Sequence, residues 1–574
     1  RGPSYEKDQI KQSIRRVRIP GVRGRMFDRQ GACLADNRPS FGVALYLEEL
    51  RKPGPWDKTI DHVQGLVSNL ESVLERPAQL SRDDIRSHIR KRLPLPLVVW
   101  RDLDEQALAR FAEQASLIPG VDIQTDSVRL YPGGPLAAHV LGYVGRADIE
   151  QDEEEPYHYY LPEMAGRSGM EKSLDALLRG EAGGRLMRVD VTGFRRYDFK
   201  QREPVAGQDV MLTLDARVQH AAEEALGSAP GAVVVMDPQS GDVLAMASTP
   251  AYDPNRFIPA IRTEDWNILN SDPYKPLVNR AAAGGYAPGS TFKPITALAA
   301  LESHRATAGD LHNCPGYFQL GRATFRCWYH TGHHTLHMRQ ALERSCNVYF
   351  FNAGLQAGIE PLHDRWRRSF GAGPEDRHRA GLRARGQCAG YAAWKRRVFS
   401  TTAGGTATPA TCPSGRARSS CRRCRWPVRD QRAWPTAGAC TVRGWCGAMR
   451  DAGRARRFAE LEPPNWCARW AGRPSDIQLV RNGMKDVING EYGTARGVAL
   501  PGVTVAGKTG TAEFGRKEDR QRHAWMIAFA PFEKPRYAVV MLVDEGISGG
   551  ETAAPRMKKL LSALFEAAPA EGRG

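Results

Sequence analysis

Ser290 and Lys293 stand one helical turn apart at the head of an apolar run that continues through Leu301, and this pair constrains the chain more than any other feature. A serine hydroxyl is a poor nucleophile at neutral pH and needs a proton acceptor within hydrogen-bond reach. A lysine at i+3 supplies one, because residues three apart share a helix face. Pro288-Gly289 immediately before the serine suits a helix start. There, unpaired backbone N–H groups and the positive end of the helix dipole stabilise a developing oxyanion. The arrangement predicts acyl transfer.

A lone S-x-x-K arises by chance about once in a chain of this length, so its partners decide. Ser345-Cys346-Asn347 lies on a stretch, 338–350, that reads as helical, and Lys508-Thr509-Gly510-Thr511 closes a strand-like run over 503–507. Three motifs in this order resemble the penicillin-recognising serine transpeptidases, the family of penicillin-binding proteins and serine β-lactamases. The resemblance implies that Ser290 attacks the substrate carbonyl, that Lys293 takes its proton, and that Ser345 relays protons to the leaving amine. It gives Asn347 the substrate's peptide group and Lys508 a positive charge that tunes its neighbours. Thr509 and Thr511 would bind the substrate's terminal carboxylate, Gly510 would let the strand backbone approach closely, and the N–H groups of Ser290 and Thr511 would form the oxyanion hole. It calls for no catalytic cofactor.

Upstream, Arg23-Gly24-Arg25-Met26-Phe27-Asp28, Arg129-Leu130-Tyr131-Pro132, His139-Val140-Leu141-Gly142 and Gly166-Arg167-Ser168-Gly169-Met170-Glu171-Lys172 look like the non-catalytic pedestal of class B penicillin-binding proteins. Trp266, Asp272-Pro273 and Asn279-Arg280-Ala281 look like the cell-elongation type. The expected organisation is a pedestal over 1–205, with 201–207 as linker, and a transpeptidase domain over 206–574; a chain of 574 residues is too long for one core. The pedestal is expected to hold extended pieces and short helices. In the second domain a helix is predicted at 219–226, strands at 232–236 and 243–247 around a Gly-containing turn, further strands at 525–530 and 537–543, and a last helix at 554–565. The fold class is α+β, an antiparallel sheet with helices on its faces.

The formal net charge of +17 raises nucleic acid or anionic membrane as a partner, but its distribution removes that. Residues 371–470 hold 19 Arg and one Lys against six acidic residues, leaving only +3 for the rest, and carry seven of the 11 cysteines. Little apolar periodicity runs through them. A shifted reading frame accounts for this better than a basic insertion. GC-rich codons for a family-like Phe-Asn-Asn-Arg-Trp, read one base late, give Ser-Thr-Thr-Ala-Gly, which is residues 400–404. A zinc knuckle at Cys421 and Cys424 lacks a second cysteine pair. No nucleic-acid partner is expected.

Outside that window four cysteines remain, and three alternate with histidines: Cys314, Cys327, His333 and Cys346 make a candidate closed tetrahedral zinc set. A Cys314–Cys327 disulfide and reduced buried thiols compete with it. Some elongation-type relatives look similar here with carboxylates in place of Cys314 and Cys327.

No apolar run approaches the length that spans a bilayer. The resemblance implies an N-terminal inner-membrane helix upstream of Arg1, a periplasmic catalytic domain, and partners of the RodA-type glycosyltransferase and elongation-complex kind. The expected activity is a peptidoglycan D,D-transpeptidase, acylated by D-Ala-D-Ala stem peptides and by β-lactams. A serine β-lactamase, a catalytically disabled structural protein of the elongation complex, and a β-lactam sensor are the alternatives; the pedestal disfavours the first and no signalling segment supports the last.

Overall fold

The computed structural model describes residues 14–78, 80–91, 96–114, 118–147, 158–160, 163–189, 195–358, 361–362, 426–427, 446–450, 473–515 and 521–566. Its N-terminal part is organised by the long strand Cys33–Leu45. This strand pairs antiparallel with Val121–Leu130 from Asp36↔Leu130 to Leu45↔Val121, and with Leu97–Trp100. Apolar residues at Ile60, Val63, Val67, Leu70 and Leu74 recur every three or four positions, so the helix Trp56–Leu74 buries one stripe against Phe111 and Trp100. At 19 residues it is longer than the short helices expected, because the stripe persists through charge-rich sequence.

The pedestal motifs that lie far apart in sequence meet at one buried carboxylate. Glu171, with no exposed surface, accepts from Arg23 Nε and Arg129 Nε, both at 2.7 Å, and from Tyr131 Oη at 3.2 Å. Burying one carboxylate between two guanidinium groups satisfies its lone pairs and leaves no isolated charge. The strand Asp209–Leu212 runs parallel to Met26–Phe27 and so returns the chain to the same sheet.

The second part is built on a five-stranded antiparallel sheet in the order Val243–Thr249, Gly231–Met236, Tyr537–Val543, Gln521–Ala530, Ala506–Phe514. Strand residues alternate between two apolar layers, as period-two geometry requires. Val233, Val235 and Met541 join the helices Ala216–Leu226 and Ala554–Glu566, while Val234, Trp525, Ile527 and Leu542 face the helices Lys293–Glu302 and Asn347–Ala357. The α+β architecture read from the sequence is the one observed. Two local expectations change. The stretch 338–350 is two helices, Met338–Glu343 and Asn347–Ala357, broken at Ser345, whose φ is +52°. The strand expected to end at residue 507 instead runs Ala506–Phe514, so Lys508 to Thr511 lie inside it.

The two parts are stitched together by polar contacts. Tyr131 and Asn255 exchange two hydrogen bonds of 2.9 Å, and His139 Nε2 lies 2.6 Å from the Pro276 carbonyl. The segment 371–470 lies outside the described residues except for two short strands, Trp426–Pro427 beside Gly285–Tyr286 and Cys446–Arg450 beside Asp209–Leu212.

Candidate active site

Ser290 sits in a 3-10 turn, Gly289–Phe292, that leads directly into the buried helix Lys293–Glu302. Gly289 has φ +58°, and a Cβ there would come within 2.7 Å of the Thr511 carbonyl. Glycine is therefore required where the Ser290 turn presses on the Lys508 strand. Gly510 answers it from the strand side, where a Cβ would meet Thr291 Cγ2 at 2.9 Å. Its bare face is filled by the serine turn.

Lys293, with no exposed surface, donates to the Ser345 carbonyl at 2.6 Å, to Ser345 Oγ at 3.2 Å and to Asn347 Oδ1 at 2.7 Å. Lys508, equally buried, donates to Ser345 Oγ at 2.8 Å and to the Thr509 carbonyl at 3.1 Å. Two amines thus share one hydroxyl. The left-handed φ of Ser345 is what turns its carbonyl and its Oγ toward Lys293 together. Burial, reinforced by the charge of Lys293, pushes Lys508 well below the ordinary lysine range. Burial thus favours the neutral form of this amine, and a neutral amine is a proton acceptor.

The sequence-predicted residues Lys293, Ser345, Asn347 and Lys508 converge in one buried cluster, with Ser290 half-buried on the adjoining turn. Thr509 Oγ1 lies 2.8 Å from Thr494 Oγ1, and Thr511 Oγ1 accepts from the Gly549 N–H at 3.2 Å. Among the described residues Ala506–Phe514 is the last strand of its sheet, and an edge strand can pair with an extended peptide.

Cys314, Cys327, His333 and Cys346 are all buried, and their ligand atoms lie within 4.8 Å of one another. The three cysteines are free thiols. His333 Nδ1 stands 3.7 Å from Cys314 Sγ and 3.5 Å from Cys327 Sγ. A zinc ion with ordinary bond lengths needs about 3.5 Å between a sulfur and a nitrogen ligand, so these edges fit a tetrahedral site. Hydrogen bonds from the thiols of Cys314 and Cys346 push Cys327 down while the contacts with Cys314 and Cys327 push Cys346 up, as befits sulfurs that share protons. The cluster grips the catalytic motif: the Asn347 N–H donates to Cys327 Sγ at 3.4 Å, and Cys346 caps the helix by accepting from the Tyr349 N–H at 3.4 Å.

Sequence reasoning missed several supporting residues. Thr494 reaches Thr509, and Trp328 Nε1 donates to the Arg344 and Ser345 carbonyls at 3.0 and 3.2 Å. Trp525 Nε1 holds the Ala287 carbonyl at 2.9 Å, while Arg280 and His523 flank Asp544 at 3.2 and 2.9 Å beneath Tyr286. Only Asn279-Arg280-Ala281 carried a signal, as part of the elongation-type pattern. The others are contacts of one side chain with a backbone or side-chain group elsewhere in the chain, which no local spacing announces.

Comparison with known proteins agrees with this geometry. Residues 18–212 match the penicillin-binding protein dimerisation domain, and residues 231–411 and 469–562 match the penicillin-binding protein transpeptidase domain. The chain is 31% identical to the peptidoglycan D,D-transpeptidase MrdA of Acinetobacter baumannii, over 95% of this chain and 80% of that one. Among solved structures it is similar to a complex between penicillin-binding protein 2 and MreC from Helicobacter pylori, with TM-score 0.72, 25% identity, and 96% and 99% of the two chains covered. A structure describing the coordination of polymerization and crosslinking by a peptidoglycan synthase complex is also similar, with TM-score 0.68, 26% identity, and 99% and 94% covered. The chain belongs to the class B penicillin-binding proteins, in the penicillin-binding protein 2 branch of serine-type peptidoglycan D,D-transpeptidases.

Proposed function

We propose that Ser290 is the nucleophile of this transpeptidase and that the two buried lysines run its proton traffic. The observation that carries the assignment is the convergence of Lys293 and Lys508 on Ser345 Oγ beside the serine turn, at the edge strand of the sheet. An extended D-Ala-D-Ala stem adds along Ala506–Phe514, with its terminal carboxylate toward Thr509 and Thr511. Ser290 Oγ attacks the carbonyl of the penultimate D-Ala and its proton passes into the Lys293–Ser345–Lys508 cluster. The N–H groups of Ser290 and Thr511 hold the oxyanion. As the C–N bond breaks, Ser345 hands a proton to the departing D-Ala amine, resupplied by the lysine pair. The amine of a neighbouring stem then attacks the Ser290 ester, loses its proton along the same path and frees the serine. With a β-lactam the leaving amine stays tethered, and the acyl-enzyme persists.

The test is labelling of the full chain with a fluorescent penicillin. Ser290→Ala is expected to abolish the label, and labelling that survives this substitution overturns the assignment.

Zinc held by Cys314, Cys327, His333 and Cys346 is the second part of this reading. It would supply no reaction step; those four side chains would tie the Ser345-Cys346-Asn347 turn to the 313–337 loop. The third part concerns 371–470. The transpeptidase match includes 371–411 and breaks only between residues 411 and 469, so it supports out-of-frame sequence over 412–468 and not over the first part of the window. Resequencing codons 365–480 tests it. The MreC and synthase-complex relatives support partners of the elongation-complex kind, and our reading extends these to a RodA-type glycosyltransferase. Because peptidoglycan lies outside the inner membrane, the catalytic domain works in the periplasm. No helix among the described residues is long and apolar enough to cross a membrane.

A further inference from the structure

We propose that Arg344, stacked on Tyr492 beside Ser345, binds a carboxylate on the peptide that brings the attacking amine. The proposal rests on the transpeptidase assignment and adds a selectivity to it. Arg344 directly precedes Ser345, the hydroxyl placed to serve first the leaving and then the incoming amine. Its guanidinium lies 3.9 Å from the centre of the Tyr492 ring, which is 55% exposed. Stacking on a ring occupies a guanidinium face and leaves its in-plane N–H groups directed outward.

Those donors lack a protein acid. Arg339, on the helix Met338–Glu343 that Arg344 follows, is paired with Asp486, whereas among the described residues no carboxylate forms an ion pair with Arg344, and its buried Nε has no acceptor. The adjacent Glu343 is turned away, accepting from the Tyr492 N–H at 3.0 Å. The stack is also held rigidly. The Arg344 carbonyl is fixed by Trp328 Nε1, and the loop carrying Tyr492 continues to Thr494, whose hydroxyl meets Thr509. The cation therefore stands at a fixed place between the Ser345 turn and the Lys508 strand. A planar guanidinium of this kind matches a carboxylate bidentately. An acceptor whose amine and carboxylate share one carbon would put the amine toward Ser345 while the carboxylate reaches Arg344.

The experiment measures transfer from a D-Ala-D-Ala donor to D-phenylalanine and to D-phenylalaninamide, whose products both differ from the donor, in the full chain, with fluorescent-penicillin labelling of Ser290 as the parallel readout. The parent is expected to favour the carboxylate-bearing acceptor about tenfold, as one charge-assisted contact would give. Arg344→Gln is expected to erase that preference with labelling unchanged, and Arg344→Lys to restore part of it. Should Arg344→Gln fail to label, Tyr492→Leu serves instead and is expected to cut the preference at least about threefold. A parent indifferent to the two acceptors, or either variant retaining the full preference, overturns the proposal. Loss of labelling in the parent itself speaks against the Ser290 assignment rather than this one.

Discussion

Lys293 Nζ stands 2.7 Å from Asn347 Oδ1, with both side chains buried, so the two outer residues of separate motifs form one unit. Asn347 also donates through Nδ2 to the Arg326 carbonyl at 3.3 Å, which fixes the orientation of the amide. Asn347→Ala removes an acceptor from a buried amine and frees the amine to move. The acylation rate by fluorescent penicillin is expected to fall about a hundredfold. Lys293→Ala should cost more, and the double variant no more than Lys293→Ala alone, because groups acting as a unit do not add. Additive losses would show that the contact has no part in the chemistry.

Thr494 offers a milder perturbation. Its hydroxyl orients that of Thr509, and Thr494→Val leaves Thr509 without this partner. Reaction with a donor peptide bearing a terminal carboxylate is expected to slow about fivefold, while its amide should be unaffected. Thr494→Ser should behave as the parent; equal slowing of both peptides would assign Thr494 to the fold rather than to recognition.

In the pedestal, Glu171→Ala leaves Arg23 and Arg129 buried without their shared acid. Breaking a buried pair this way costs about 3–5 kcal/mol. Thermal unfolding of the variant should begin on the order of 10 °C lower, with Ser290 still labelled below that temperature. An unchanged Tm means that solvent or another acid replaces the carboxylate.

The architecture was legible wherever the chain's periodicity matched its environment. Strands 232–236 and 537–543 are apolar runs buried on both faces, and the last helix carries Met557, Leu560, Leu561 and Leu564 on one side. The break at Ser345 was not legible. Residues 338–350 suit a helix locally, and the left-handed turn is imposed by Lys293 and Trp328, which bind the Ser345 carbonyl from elsewhere in the chain. The strand-like run was read over 503–507, where the apolar residues stop, with Lys508-Thr509-Gly510-Thr511 closing it. It continues because Gln521–Ala530 pairs with it residue by residue to Phe514↔Gln521. The converging lysines were inferable only through the order of the motifs; the stack of Arg344 on Tyr492, 148 positions apart, had no sequence signal.

His139 gives the junction between the two parts an acid sensitivity. Burial pushes its imidazole down to about 4, although its contact with the Pro276 carbonyl opposes this. The unfolded chain binds the proton near pH 6.5 and the folded chain only near 4, so in between the unfolded state holds more protons. Stability from this group is therefore complete above about pH 6.5 and is lost as the pH falls towards 4, to the extent of roughly 3 kcal/mol. His139→Gln should flatten the acid limb of a denaturation profile between those values while lowering stability at pH 7. An acid limb that keeps its slope excludes His139 as the cause.

Metal removal tests the cluster that joins structure to catalysis. Cys346 is both a member of the four-residue set and the centre of Ser345-Cys346-Asn347, and the Asn347 N–H donates to Cys327 Sγ. Removing a shared metal should therefore loosen the turn that presents Ser345 and Asn347 to the two lysines, since metal affinity and folding are coupled in closed sites of this kind. Purified protein is expected to carry near-stoichiometric zinc, and Cys327→Ser to lose it. A strong chelator should lower both the Tm and the rate of Ser290 acylation, and added zinc should restore both in the parent but not in Cys327→Ser. A disulfide between Cys314 and Cys327 predicts the reverse pattern: an intact mass lower by two hydrogens, no zinc, and sensitivity to reductant instead of chelator. A metal-free protein with free thiols that acylates at the full rate rules the zinc reading out and leaves the three thiols as core packing.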